Sequence, residues 1–370
     1  MHSSISIWYF LIFTVICYKN IDYNIRGTTV NGWESINDLF RQNFVQERDL
    51  GASIAVYHQG KLVVDLWGGW FDQAQTKPYD NDTLQLVFST SKGLVAVAVA
   101  LCVQQGLLDY SALVTKYWLE YGQNGKENTT VADILSHRAG LPNAPPSFEE
   151  YLNWTGMIHT LEQQRPLWSP GTTHGYHGLT YGWLAGELVR RVDPTRRTLG
   201  QFIQDEIANR IKIEFFIGLP PQHKYRVSPL VHSVNPQEIV LNESESAAFN
   251  KYNEYDTHRA EIPAVNGITN ARSVAKLYAS LIGELENGKQ RRLLNEEILK
   301  QATQSNTPEN ETDFVVHDAT SFGMGFLLFD QISTSVPPGT FGHNGNDKTS
   351  ISLLNELFSC ILGLGGSIGT

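Results

Sequence analysis

The stretch LQLVFSTSKGLVAVAVALCVQQG, Leu84–Gly106, decides how this chain is read. From Leu94 to Val103 it is apolar nearly all round, a pattern that by periodicity alone fits a buried helix or a buried strand. Its length, and the closing Gln104, Gln105 and Gly106, favour a buried helix with a glycine stop. Directly ahead, Ser89, Thr90, Ser91 and Lys92 fit S-x-x-K, and more narrowly S-x-S-K, on the first turn. Residues three apart share a helix face, so Lys92 can reach the Ser89 hydroxyl, while the helix N-terminus offers partial positive charge to a developing oxyanion. A hydroxyl is a weak nucleophile until a neighbouring base takes its proton, and a desolvated lysine or a lysine-coupled tyrosinate can serve.

The four-letter motif is weak by itself, since about one chance match is expected in a chain of this size. A second match, Ser273–Lys276, lies in NARSVAKLYASLIGELENG, which reads as an amphipathic helix ended by Asn287 and Gly288 with Lys276 facing water. Context selects Ser89, because it opens an apolar helix that follows a hairpin and a polar connector. The hairpin is GASIAVYHQGKLVVDLWGG, Gly51–Gly69, two β-rich runs joined at His58, Gln59 and Gly60. The connector is FDQAQTKPYDNDT, Phe71–Thr83.

Further along, Thr130 reads as the N-cap of a short helix, VADILSH, stopped by Gly140 and Pro142. Tyr176 stands where turn residues give way to an apolar helix with Arg190 and Arg191 in its last turn. Residues 200–300 alternate helical segments with polar loops, and strand-like sequence returns at Ser321–Phe329 and Thr340–Gly345.

With 370 residues, 41% of them hydrophobic, the chain can bury a sizeable core. Its net charge of -10 and its 28 scattered basic residues argue against a nucleic-acid partner, so a small molecule is the expected ligand. Cys17, Cys102 and Cys360 form neither a paired framework nor a metal-like spacing, and Cys102 reads as core. The uncharged stretch Ile5–Tyr18 has the length of a signal-peptide core and falls short of the roughly 20 residues of a spanning helix. Residues 1–25 are therefore expected to be a signal peptide or an uncleaved anchor, on a secreted or membrane-anchored protein. Sequons at Asn81, Asn128, Asn153, Asn242 and Asn310 are compatible with that route.

Taken in order, the hairpin ending in Trp67, Gly68 and Gly69, FSTSKG, HRAGLP, WSPGTTHGYHGLTYGWLAGEL, IPAVNGITNARSVAKLY and FGHNG resemble the blocks of serine esterases of the β-lactamase and penicillin-binding-protein fold. The bacterial family VIII carboxylesterases and the animal β-lactamase-domain-containing proteins are the nearest likeness, over about residues 30–346. The resemblance implies an α+β sandwich: an antiparallel sheet built from both ends of the chain, about 26–85 and 315–370, flanked by helices, with a helical lobe of about 86–314 between them. It implies that Ser89 is acylated, that Lys92 sets the proton network, and that Tyr176 is general base in acylation and returns the proton to the leaving group.

Where relatives carry Asn or Ser two residues after that tyrosine, this chain has Gly178, and the intervening His177 reads as a packing residue. At the position of the K-T-G element stand His343, Asn344 and Gly345; Lys348 and Thr349 are a lesser rival. A neutral imidazole is a poorer carboxylate anchor than an ammonium, which points to uncharged esters. The backbone N–H groups of Ser89 and Asn346 would form the oxyanion hole, at about 3 kcal/mol per donor. Trp154 and Trp168 could line an acyl pocket, although tryptophan more often serves the core. No metal or organic cofactor is needed for this chemistry.

Only 25 residues follow Gly345, and NDKTSISLLNELFSCILGLGGSIGT departs from the family's pattern of strand and closing helix. Leu353–Leu364 could make one short helix or strand, and a truncated, alternatively spliced or misassigned end would leave the sheet without edge strands. The rival readings are a catalytically idle scaffold or binding protein of the same fold, and a β-lactamase or D-Ala peptidase proper.

Overall fold

A computed structural model of the chain describes residues 22–232, 247, 249–345, 350–354, 359–365 and 367–368. The stretch Ile5–Tyr18 lies outside them, as do Asn346, Lys348 and Thr349.

The hairpin forms as β2 (Gly51–His58) and β3 (Lys61–Gly69), paired from Gly51↔Gly69 to His58↔Lys61. Its two loop residues, Gln59 and Gly60, both have positive φ (49° and 73°), the turn geometry that matches strand twist. A bulge between Val56 and Tyr57 shifts the register late in the hairpin. β1 (Arg26–Thr29) pairs with the outer side of β3. On the other side, the strands β9 (Ser350–Leu354) and β10 (Ser359–Gly365) complete an antiparallel sheet in the order β1-β3-β2-β10-β9. The residues after Gly345 thus supply two strands of this sheet, where Leu353–Leu364 reads as one short helix or strand.

Side-chain alternation along β2 explains why both faces of the sheet are covered. Ala52 and Val56 join Val64 and Leu66 against Phe40 and Phe44 of α1 (Ser35–Val45). Ala55 and Tyr57 point the other way, into the main core, where a helix over Ala271–Ile282 packs on β2 and β10. That helix ends at Gly283, earlier than expected, and Asn287 and Gly288 form a positive-φ turn beyond it.

The helix α2 (Ser91–Gln104) runs through the centre, with Leu94–Cys102 fully buried, as an all-round apolar sequence requires. α3 (Val131–Leu135) starts at a complete capping box of Thr130 and Asp133 and ends two residues before His137. α4 (Thr180–Val192) packs along α2. The three short strands β4 (Gln85–Leu86), β5 (Phe215–Phe216) and β6 (Ile268–Thr269) form a small sheet that delivers the chain to the start of α2. A last pair, β7 (Leu327–Leu328) with β8 (Phe341–Gly342), leads directly into His343.

Candidate active site

Ser89 sits in a single 3-10 turn, Phe88–Thr90, ahead of α2 rather than in the helix proper. Phe88 has φ +42°, a left-handed conformation that is costly for an aromatic residue and persists only where the surroundings enforce it. Ser91 supplies that enforcement. Its hydroxyl donates to the Phe88 carbonyl and accepts from Gly267 N at 2.9 Å, while Val87 N donates to Gly267 O at 2.9 Å. A Cβ at Gly267 would fall 2.5 Å from Ser91 Oγ, so this close approach needs glycine.

From α2, Lys92 returns to the serine, its Nζ 3.0 Å from Ser89 Oγ. The same nitrogen lies 2.8 Å from Gly178 O and 3.1 Å from Ala264 O. The side chain is completely buried, and desolvation holds its pKa well below the ordinary lysine value. Tyr176, four residues ahead of α4, donates its hydroxyl to Ser89 Oγ at 2.8 Å, and Lys92 Nζ stands 4.8 Å from its ring centre. Burial pushes the Tyr176 phenol upward. Ser89 and Tyr176 are half-buried, so the cleft reaches them, whereas Lys92 lies behind.

Gly178, noted in the sequence for its missing side chain, contributes its backbone carbonyl as a seat for Lys92. A Cβ there would meet only the Tyr176 ring, at 3.9 Å. His177 is fully buried and bonded through both nitrogens, Nδ1 to Gly175 O at 2.7 Å and Nε2 to Leu141 N at 2.9 Å. It holds HRAGLP against the tyrosine loop.

His343 is buried beside Tyr176, with ring centres 6.1 Å apart. Its Nδ1 lies 2.8 Å from Asn344 O, which fixes the proton there and leaves Nε2 a bare acceptor without a partner among the described residues. Burial, and then the nearby Lys92, bring its pKa down to about 3. Gly345 is half-buried beyond it, and the second oxyanion donor assigned to Asn346 lies outside the described residues.

The rival pair Ser273–Lys276 is not assembled as a site. Ser273 Oγ accepts from Glu214 N at 3.0 Å, and Lys276, largely covered rather than facing water, pairs with Glu286 at 3.4 Å. Trp154 is tied to Glu187 at 2.9 Å, and Trp168 packs at a tilt against Phe314, ring centres 5.2 Å apart, beside the tyrosine loop. A cavity of about 750 Å³ between Leu107, Tyr117, Ile298 and Met324 lies at the other end of α2, about 20 Å along the helix from Ser89.

Sequence reading missed the buried polar groups behind Tyr176. Asp313 accepts from Tyr176 N at 3.1 Å, and His174 sits between Glu311, which also holds Arg138 at 2.6 Å, and Thr320. Asp313 and Glu311 occur in a polar loop with no motif spacing, and only the fold brings them here.

Ser89, Lys92 and Tyr176 converge at the start of α2, and the chain has the β-lactamase and transpeptidase-like fold. The family model described as Beta-lactamase matches residues 36–362, and the chain belongs to that family. The esterase/beta-lactamase LipL of Mycobacterium tuberculosis (strain ATCC 25618 / H37Rv) is 31% identical over 280 residues, 67% of this chain. The chain spans 62% of the length of that relative. Among solved structures, a family VIII carboxylesterase superposes with a TM-score of 0.84 at 29% identity, covering 94% of this chain and 95% of that one. A penicillin-binding protein homolog from Caulobacter crescentus gives 0.82 at 31% identity, covering 94% of each.

Proposed function

We propose that this chain is a serine hydrolase that cleaves small, uncharged esters through an acyl-enzyme on Ser89. The observation that carries the reading is the three-way contact of Ser89 Oγ with Lys92 Nζ at 3.0 Å and Tyr176 OH at 2.8 Å. The similarity to an esterase/beta-lactamase and to a family VIII carboxylesterase supports it.

The contacts of Lys92 fit a neutral amine. Two N–H groups donate to Gly178 O and Ala264 O; the third contact, to Ser89 Oγ, is one the nitrogen donates to when protonated and can accept from, through its lone pair, when neutral. Burial acts in the same direction, lowering the pKa of Lys92 and raising that of Tyr176, which favours the neutral form of each. Lys92 is then the first base, a role the family resemblance gives to Tyr176. Ser89 Oγ bonds to the acyl carbon as its proton passes to Lys92. The Ser89 N–H is the proposed donor to the oxyanion, and the second donor, expected at Asn346, lies outside the described residues. The alcohol departs with a proton from the Tyr176 hydroxyl, which Lys92 replenishes. Water attacks the acyl-enzyme by the reverse relay, releasing the acid and restoring Ser89.

A neutral His343 offers no cation to a substrate carboxylate, which weighs against β-lactams and D-Ala peptides and toward uncharged esters. A secretory location stays part of the proposal, supported by the exposure of the sequon residues Asn81, Asn128, Asn153 and Asn310. The test is fluorophosphonate labelling of wild type, Ser89→Ala and Ser273→Ala, followed by turnover of p-nitrophenyl acetate and butyrate. Labelling lost only in Ser89→Ala supports the reading; a folded wild type that neither labels nor turns over leaves the idle scaffold.

A further inference from the structure

The segment that carries Tyr176 has no helix or strand of its own, since α4 begins only at Thr180. It nevertheless sets a phenol oxygen to within hydrogen-bond distance of Ser89. Two carboxylates face its backbone: Glu311 accepts from His174 N at 3.1 Å, and Asp313 reaches Tyr176 itself. Asp313 is fully buried, and its Oδ1 accepts from Tyr176 N at 3.1 Å, Val315 N at 2.8 Å and Val316 N at 3.0 Å. Its Oδ2 accepts from Thr320 Oγ1 at 3.1 Å, and His174 Nε2 lies 3.8 Å away. A backbone bond from Phe314 N to His174 O at 2.9 Å runs alongside, and Asp313 N to Asp318 O at 3.0 Å closes the 313–318 loop on itself. A buried carboxylate is retained only where its lone pairs are satisfied, and four donors satisfy this one. Three of those donors are backbone N–H groups from two segments, so the carboxylate acts as a clamp between them.

We propose that Asp313 is a positioning residue for acylation: it fixes the backbone of Tyr176 against the 313–320 loop, and thereby the depth at which the phenol meets Ser89. The inference rests on the hydrolase reading. Asp313 touches neither substrate nor reacting atoms; it acts through Tyr176. Asparagine keeps an acceptor oxygen for the three N–H groups, and its amide can donate to Thr320 Oγ1, whose own proton can turn to His174 Nε2, 2.9 Å away. Alanine keeps none of these contacts. Positioning therefore separates the two substitutions, whereas a requirement for negative charge would not.

The experiment compares steady-state hydrolysis of p-nitrophenyl butyrate by wild type, Asp313→Ala and Asp313→Asn, with amide hydrogen exchange of the peptide containing Tyr176. Asp313→Ala is expected to lower kcat roughly 100-fold with KM within about threefold, because a misplacement of about 1 Å carries that cost. Asp313→Asn is expected to retain kcat to within about tenfold of wild type, and the Tyr176 amide to lose protection only in Asp313→Ala. A folded Asp313→Ala with near-wild-type kcat, equal losses in both variants, or a loss confined to KM overturns the proposal. If Asp313→Ala does not fold, Thr320→Val loosens the carboxylate from its other side; kcat falling about threefold or more supports the clamp, and unchanged kcat overturns it. A wild type without turnover is a failure of the hydrolase reading, and the exchange measurement then decides the clamp alone: unchanged protection in the alanine variant overturns it.

Discussion

Lys92 Nζ lies 2.8 Å from the carbonyl oxygen of Gly178, a residue 86 positions away in sequence. With Ala264 O as the second seat, the amine has its two donor directions occupied before the serine is considered. A lysine held by two neutral carbonyls, with no carboxylate paired to it among the described residues, has lost solvation without gaining a counter-charge, so its neutral form is favoured.

The pH dependence follows from that sign. Lys92 accepts a proton only when neutral, so activity is present above its lowered pKa and lost as pH falls through it. The rate of fluorophosphonate labelling against pH should show one acid limb well below the ordinary lysine range. Lys92→Arg, whose guanidinium stays protonated, should label at least about 1,000-fold more slowly at every pH up to 10, without alkaline recovery. Recovery of that variant at high pH would remove Lys92 from the role of base.

The proposed preference for uncharged esters is tested at His343. Wild type should hydrolyse p-nitrophenyl butyrate with kcat/KM at least about tenfold above that for mono-p-nitrophenyl succinate, which differs by a terminal carboxylate. His343→Lys should narrow the ratio by roughly tenfold, the scale of one charge-assisted hydrogen bond at about 1.4 kcal/mol. An unchanged ratio would place the discriminating group elsewhere.

The second serine of S-T-S-K is a brace. Ser91→Ala leaves the Phe88 carbonyl and Gly267 N without their shared partner. Thermal and urea unfolding should show a loss of about 1–3 kcal/mol, and labelling should slow while the adduct, located by mass spectrometry, stays on Ser89. Gly267→Ala should be worse, because its Cβ would also lie 2.8 Å from Phe215.

These cases show what was legible in the chain and what was not. The hairpin, the central helix and the Ser89–Lys92 spacing are local patterns, and periodicity or turn chemistry reports them directly. The reach of Tyr176 to Ser89 came from family likeness, since nothing local links residues 87 positions apart. The carbonyl seats at Gly178 and Ala264, and the carboxylate of Asp313, could not be read because they are backbone or loop groups whose roles exist only once distant segments meet. The strands after Gly345 were ambiguous for a different reason: SISLL and SCILGLG are short apolar runs whose pairing depends on the open side of β2.

Stability offers a last test away from the site. Asp193, immediately after α4, is buried, and Arg197 donates to it through its backbone N at 2.8 Å, Nε at 3.0 Å and Nη2 at 2.9 Å. These bonds hold its carboxyl well below the usual carboxylate range. A depressed folded-state pKa contributes stability above the unfolded value of about 3.9, and that contribution is lost as pH falls toward the folded value. Asp193→Asn should therefore lower stability by about 1–3 kcal/mol at pH 7, the scale of charged hydrogen bonds, read as a lower Tm. The gap between the two proteins should hold down to about pH 5 and close on further acidification. A Tm difference independent of pH would mean that Asp193 acts through shape and hydrogen bonding rather than through its charge.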